Sequence, residues 1–108
     1  MQKFLSTPHL SEILEKSEKE PVIIFKYSKT CRSSEVLKLE LEEVIESKKI
    51  LNPIYIVVVQ DRPELSRKIE EFFEIKHESP QIIIIKDTKV IYTGNHHHIK
   101  IENFVFGK

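Results

Sequence analysis

The sequence predicts an α/β fold, a central four-stranded mixed sheet built as a βαβ unit followed by a ββα unit and flanked by helices. Three observations predict it. Short apolar runs rich in β-branched residues occur four times, at Val22-Ile23-Ile24-Phe25, residues 54–59, residues 82–85 and Val90-Ile91-Tyr92. The stretches between the first three carry apolar residues at the three-to-four spacing of a core-facing helix. The last two runs are separated by residues 86–89 alone, so they pair as a hairpin.

Taken in order, Pro8 opens a first helix that continues through Leu10, Ile13 and Leu14 to about residue 19. The first apolar run follows Pro21; its shortness and branching mark a buried strand. A second helix covers about 32–49, with Leu37, Leu41, Val44 and Ile45 on its core stripe. Glu35, Glu42, Glu43 and Glu46 belong mostly to its wet side. Residues 54–59 form the second buried strand. Asp61 is expected to cap the third helix, with Glu64 three positions on as in a capping box and Pro63 in the first turn. Leu65, Ile69, Phe72 and Phe73 give that helix its apolar stripe. The hairpin turns at Asp87-Thr88, without the usual glycine. A short last helix is expected over about 99–106, and a short strand near residues 3–5. The order α-β-α-β-α-β-β-α is that of the thioredoxin fold, its parallel pair joined by a right-handed crossover.

The 108 residues fit one domain, 1–108, with one core. Lys plus Arg and Asp plus Glu both number 17, so no basic surplus points to nucleic acid or an anionic membrane. No segment approaches the roughly 20 apolar residues of a membrane span. The opening residues 1–8 lack the apolar stretch of a signal peptide, and a single cysteine agrees with a reducing compartment. A cytoplasmic location is therefore expected. One cysteine also excludes a dithiol mechanism within this chain.

Cys31 lies between the first strand and the second helix, in Tyr27-Ser28-Lys29-Thr30-Cys31-Arg32-Ser33-Ser34. Free N–H groups and the positive end of the dipole at a helix start favour thiolate over thiol. Lys29 and Arg32 are expected to add positive charge. In the spacing C-x-x-S, Ser34 stands where a dithiol enzyme has its resolving cysteine; its hydroxyl is placed to bond a thiolate instead. A mixed disulfide on Cys31 must then be resolved by an external thiol. The alternative is an inert buried cysteine, since cysteine is among the most buried residue types. Pro80 offers an independent sign. It precedes the third strand, where the thioredoxin fold has a cis-proline beside the reactive cysteine; an ordinary trans-proline at a strand start is the alternative.

Thr30-Cys31-x-x-Ser34, Val59-Gln60 leading into Arg62-Pro63, Lys76-His77-Glu78-Ser79-Pro80-Gln81, and Asn95-His96 together resemble the monothiol bacilliredoxin family over nearly the whole chain. Arg32 and Ser33 depart from the family's usual proline and apolar residue after the cysteine. The resemblance implies removal of bacillithiol, a low-molecular-weight thiol, from protein mixed disulfides. Cys31 is then the nucleophile and Ser34 its electrostatic aid. Thr30, Arg32, Ser33, His77, Ser79 and Pro80 are the substrate-binding candidates. No cofactor is expected beyond bacillithiol as co-substrate, and the partners are proteins carrying mixed disulfides met by a monomer. His77 reads either as a hydrogen-bonded structural histidine or as a proton donor. His96-His97-His98 lacks metal-ligand spacing, so no metal is expected, and Tyr27 and Tyr55 read as core or rim aromatics. The rival functions are a redox-inactive adaptor, an arsenate-reductase-like enzyme, which would want more than the three arginines Arg32, Arg62 and Arg67, and a metal carrier.

Overall fold

A computed structural model describes residues 4–95. The elements are α1 (Leu10–Ser17), β1 (Val22–Tyr27), α2 (Arg32–Glu46), β2 (Ile54–Val58), α3 (Pro63–Phe73), β3 (Gln81–Lys86) and β4 (Lys89–Asn95). The sheet order is β2-β1-β3-β4. β1 runs parallel to β2, with Phe25 opposite Ile56, and antiparallel to β3, with Phe25 opposite Ile82. β3 and β4 form the expected hairpin. Outside β2, Leu5 makes a parallel bridge to Tyr55, the part of the expected first strand that falls within the described residues. The last helix, His96-His97-His98 and the second half of the Asn95-His96 pair lie outside them.

Alternation along β1 sorts the core into two layers. Ile23, Phe25 and Tyr27, with Ile82 and Ile84, meet Leu37 and Leu41 of α2. Val22 and Ile24, with Ile83 and Ile85, meet Ile13 of α1 and Leu65 and Ile69 of α3. Burying each such side chain contributes roughly 1.5–3 kcal/mol, so these two layers hold the helices on the sheet.

Several boundaries differ from the sequence expectation, and four of them have a local reason. α1 starts at Leu10 rather than Pro8, because Thr7 organises the turn: its Oγ1 accepts the His9 N–H at 3.1 Å and donates to Glu12 Oε1 at 3.0 Å. α2 stops at Glu46, short of residue 49; Ser47 is its cap and Lys48 is left-handed, with φ 61°. α3 is not capped by Asp61. Its N-cap is Arg62, with no side-chain cap bond, while Asp61 accepts from Lys29 Nζ at 2.9 Å. β4 is longer than the three residues expected and runs on through Thr93 and Gly94 to Asn95.

The hairpin tip is unusual. Asp87 and Thr88 both have left-handed backbones, φ 52° and 64°, the pattern that glycine or asparagine normally supplies. Ser17, at the end of α1 and fully buried, holds them. Its carbonyl accepts the Asp87 N–H at 2.7 Å and its Oγ accepts the Thr88 N–H at 3.0 Å.

Candidate active site

The site lies past the end of β1, where the strand gives way to α2. Cys31 is the N-cap of α2, with extended backbone (φ −107°, ψ 117°) and a carbonyl that accepts the Ser34 and Glu35 N–H groups at 3.1 and 3.3 Å. Cys31 is half-exposed and free of any disulfide, so it is not buried as the alternative reading has it.

Ser34 lies one turn into α2 and is fully buried. Its Oγ accepts the Ser28 N–H at 3.2 Å, which leaves the hydroxyl proton to be donated. The recipient is the Cys31 sulfur. That bond, then the Ser34 and Ser33 backbone N–H groups, holds the thiol pKa below its ordinary value against the opposing effect of burial. The charges of Lys29 and Arg32 are not what lowers it, contrary to expectation. Lys29 is drawn off by Asp61, and Arg32 is exposed to solvent, which screens it.

The loop between β1 and Cys31 is fastened from β2's side. Gln60 Nε2 donates to Ser28 Oγ at 2.9 Å, and Gln60 Oε1 accepts the Lys29 N–H at 3.0 Å. Thr30 N–H donates to the same Ser28 Oγ at 3.3 Å. The Thr30 side chain is exposed and Ser33 half-buried. Gln60 was not singled out as a site residue from the sequence. Its signal was membership of the Val59-Gln60 run, which does not disclose that the side chain reaches across to Ser28.

Across from the sulfur stands the segment before β3. The Ser79–Pro80 bond is cis, Pro80 is buried, and Cys31 Sγ lies 3.5 Å from Ser79 O, placed to donate to it. His77 Nε2 is 3.4 Å from Ser79 Oγ, and the His77 N–H donates to Glu70 Oε2 at 3.1 Å. On its other side, His77 Nδ1 lies 3.3 Å from Lys26 Nζ and 3.4 Å from Ser66 Oγ. Lys26 is a second site residue absent from the candidates the sequence offers. Its signal was a lone charge inside the apolar run of β1. Burial, then the Lys26 charge, keeps the His77 imidazole below its ordinary pKa, with Glu70 and Glu78 opposing.

The structure thus joins Cys31, Ser34, Ser79 and His77 by direct contacts, and ties Thr30 to them through Ser28. Among the described residues there is no cluster of three metal-ligating side chains, and no helix is long and apolar enough to cross a membrane.

A family profile described as monothiol bacilliredoxin BrxC matches residues 2–104. Solved structures give the same fold. A protein described as an oxidoreductase with a thioredoxin fold superposes with a TM-score of 0.77 at 21% identity, covering 91% of this chain and 87% of its own. The reduced thioredoxin preprotein of Schistosoma mansoni gives 0.73 at 20% identity, covering 93% and 90%. A thioredoxin variant from Halobacterium salinarum gives 0.71 at 10% identity, covering 94% and 86%. At these identities the structural likeness speaks for the fold.

Proposed function

The chain belongs to the monothiol bacilliredoxin family, a thioredoxin-fold group of thiol–disulfide redox proteins, and on that premise we propose that it removes bacillithiol from protein mixed disulfides. One observation carries the proposal. The only sulfur able to exchange in this chain is half-exposed at the start of α2, bonded by the buried Ser34 hydroxyl. That arrangement suits a nucleophile with no resolving partner.

In the proposed step the Cys31 thiolate attacks the bacillithiol sulfur of the mixed disulfide. A Cys31–bacillithiol S–S bond forms and the client–bacillithiol S–S bond breaks. The client sulfur leaves as a thiolate and takes a proton from solvent. One disulfide is consumed and one is formed, so no external oxidant enters. A second low-molecular-weight thiol then displaces bacillithiol from Cys31, because Ser34 is unable to do so. Ser34 stabilises the thiolate as attacker and as leaving group. Ser79 and Pro80 face the incoming disulfide, while Thr30, Arg32 and Ser33 border it on the helix side. The same reading takes the protein as a cytoplasmic monomer that holds no resident cofactor.

The test is intact-mass analysis after mixing reduced protein with a bacillithiol-modified client, alongside a glutathione-modified one. A gain of one bacillithiol by the chain and its loss from the client is the expected result. The Cys31→Ser protein should gain none and leave the client modified. A wild-type chain that takes up no thiol from either client overturns the proposal and favours a redox-inactive adaptor. Uptake from the glutathione client alone keeps monothiol exchange and replaces the thiol.

A further inference from the structure

Lys26 is fully buried at the C-terminal end of β1, a position where a charge needs compensation. Its Nζ donates to the Ser66 carbonyl at 2.9 Å, and it faces His77 Nδ1 at 3.3 Å. Burial lowers its pKa to about 8, with Glu70 opposing, so it remains chiefly an ammonium at neutral pH. An ammonium has three donors and no acceptor. The His77 nitrogen facing it is therefore an acceptor and carries no proton.

A neutral imidazole has one N–H, and which nitrogen bears it is set by the bond the other makes. With Nδ1 accepting, the proton sits on Nε2, and Nε2 faces Ser79 Oγ. The ring then donates to Ser79. The serine hydroxyl accepts from the ring and keeps its own proton to give elsewhere. Ser79 is the residue whose carbonyl lies 3.5 Å from the Cys31 sulfur. The Ser66 hydroxyl, 3.4 Å from Nδ1, is able to donate or accept and does not by itself choose the form.

We propose that Lys26 is a positioning residue for exchange at Cys31, fixing His77 as the Nε2–H form and thereby leaving the Ser79 hydroxyl as a donor to the substrate disulfide. This rests on the exchange function proposed above, though not on bacillithiol being the thiol. Contacts of this length in an unliganded site tighten when substrate binds. The groups facing the His77 ring and setting its charge are Lys26 from β1, Glu70 from α3, and Glu78 from its own segment.

The experiment uses the full chain and the variant Lys26→Met, of similar length, with Lys26→Gln as a second variant should the first fold poorly. Long-range 1H–15N NMR on histidine-labelled protein reads the His77 form directly. Wild type should show Nε2–H, and the variant a mixture with Nδ1–H. Exchange with glutathione-modified and bacillithiol-modified clients is followed in parallel from pH 5 to 9. At pH 7, where Lys26 is still charged and His77 is neutral, the variant should be slower by about tenfold, the size of a misplaced substrate contact. The ratio of variant to wild-type rates should climb toward one as the imidazole protonates, because the imidazolium carries a proton on Nε2 whether or not Lys26 is present. Alkylation of Cys31 by iodoacetamide should not change. A wild-type Nδ1–H form, an unaltered histidine spectrum in the variants, or a rate ratio independent of pH overturns the inference; the last would mark Lys26 as structural. Should wild type exchange with neither client, the proposed function fails, and the histidine spectrum still decides the assignment of the ring.

Discussion

The two faces of the sheet are equally apolar through most of their depth and end differently at the site. On the α2 face, β1 finishes with Tyr27, whose hydroxyl donates to Glu35 and whose ring lies under Lys38 Nζ, 5.3 Å from its centroid. The polar groups there are shared with solvent, and the buried exception is Ser34, which bonds the sulfur. On the α1/α3 face, β1 finishes with the buried Lys26, answered by the Ser66 carbonyl and His77. The difference divides the work. Under the proposed function, the α2 side sets the reactivity of Cys31, and the α3 side sets the polar edge that Cys31 faces.

The comparison breaks most visibly where both faces are apolar. Leu41→Ala removes a fully buried side chain from the α2 layer and should cost about 2–5 kcal/mol, read as a fall in the urea midpoint. Lys26→Met on the opposite face should leave stability nearly unchanged or raise it, since a buried charge is replaced by an apolar side chain. Equal losses from the two would show that the lysine is a structural keystone.

Ser34→Ala sharpens the division next. The bond that holds the Cys31 pKa down is lost, so the pH profile of its alkylation should move to higher pH. At neutral pH the rate should fall by about threefold to tenfold, the loss being partly offset because a more basic thiolate is a better nucleophile. The His77 spectrum should stay that of wild type. The sign for stability follows from the same depression. A thiol held below its unfolded pKa contributes stability above that pKa and loses it as pH falls through the folded value, so the Ser34→Ala deficit should be widest on the alkaline side.

Tyr27→Phe should have the smallest effect. It removes one hydrogen bond to a carboxylate that water then solvates, so a loss of about 0.5–1.5 kcal/mol is expected in urea unfolding. The Cys31 alkylation profile should not move. If it moves, the outer end of the α2 face reaches the sulfur after all.

The element order, the mixed sheet and the hairpin were legible because period and run length separate strand from helix wherever the runs are buried on both faces. The place of Cys31 at the start of α2 was legible because the strand run before it and the helical stripe after it leave only a junction between them. What the sequence concealed were choices among partners. Asp61 had the right type and spacing for a cap, but its carboxylate is held by Lys29, across the loop. The same ion pair withdrew the charge expected beside the thiol. Lys26 stood in plain view inside an apolar strand, yet only the fold brings it to His77, 51 positions later. Gln60 was noticed as part of a run, but its grip on Ser28 depends on the reach of a side chain between two loops.

The hairpin tip has a consequence for how the chain folds. Asp87 and Thr88 both occupy the left-handed region, at a cost of roughly 1–3 kcal/mol each for residues other than glycine, so β3 and β4 close a turn that is unfavourable when isolated. What offsets it comes from Ser17, 71 positions earlier than Thr88. The hairpin should therefore mature late, after α1 has docked, although its two strands are neighbours in sequence. A nominally local contact then behaves kinetically as a long-range one, and α1 and the hairpin tip are completed in the same late step of folding.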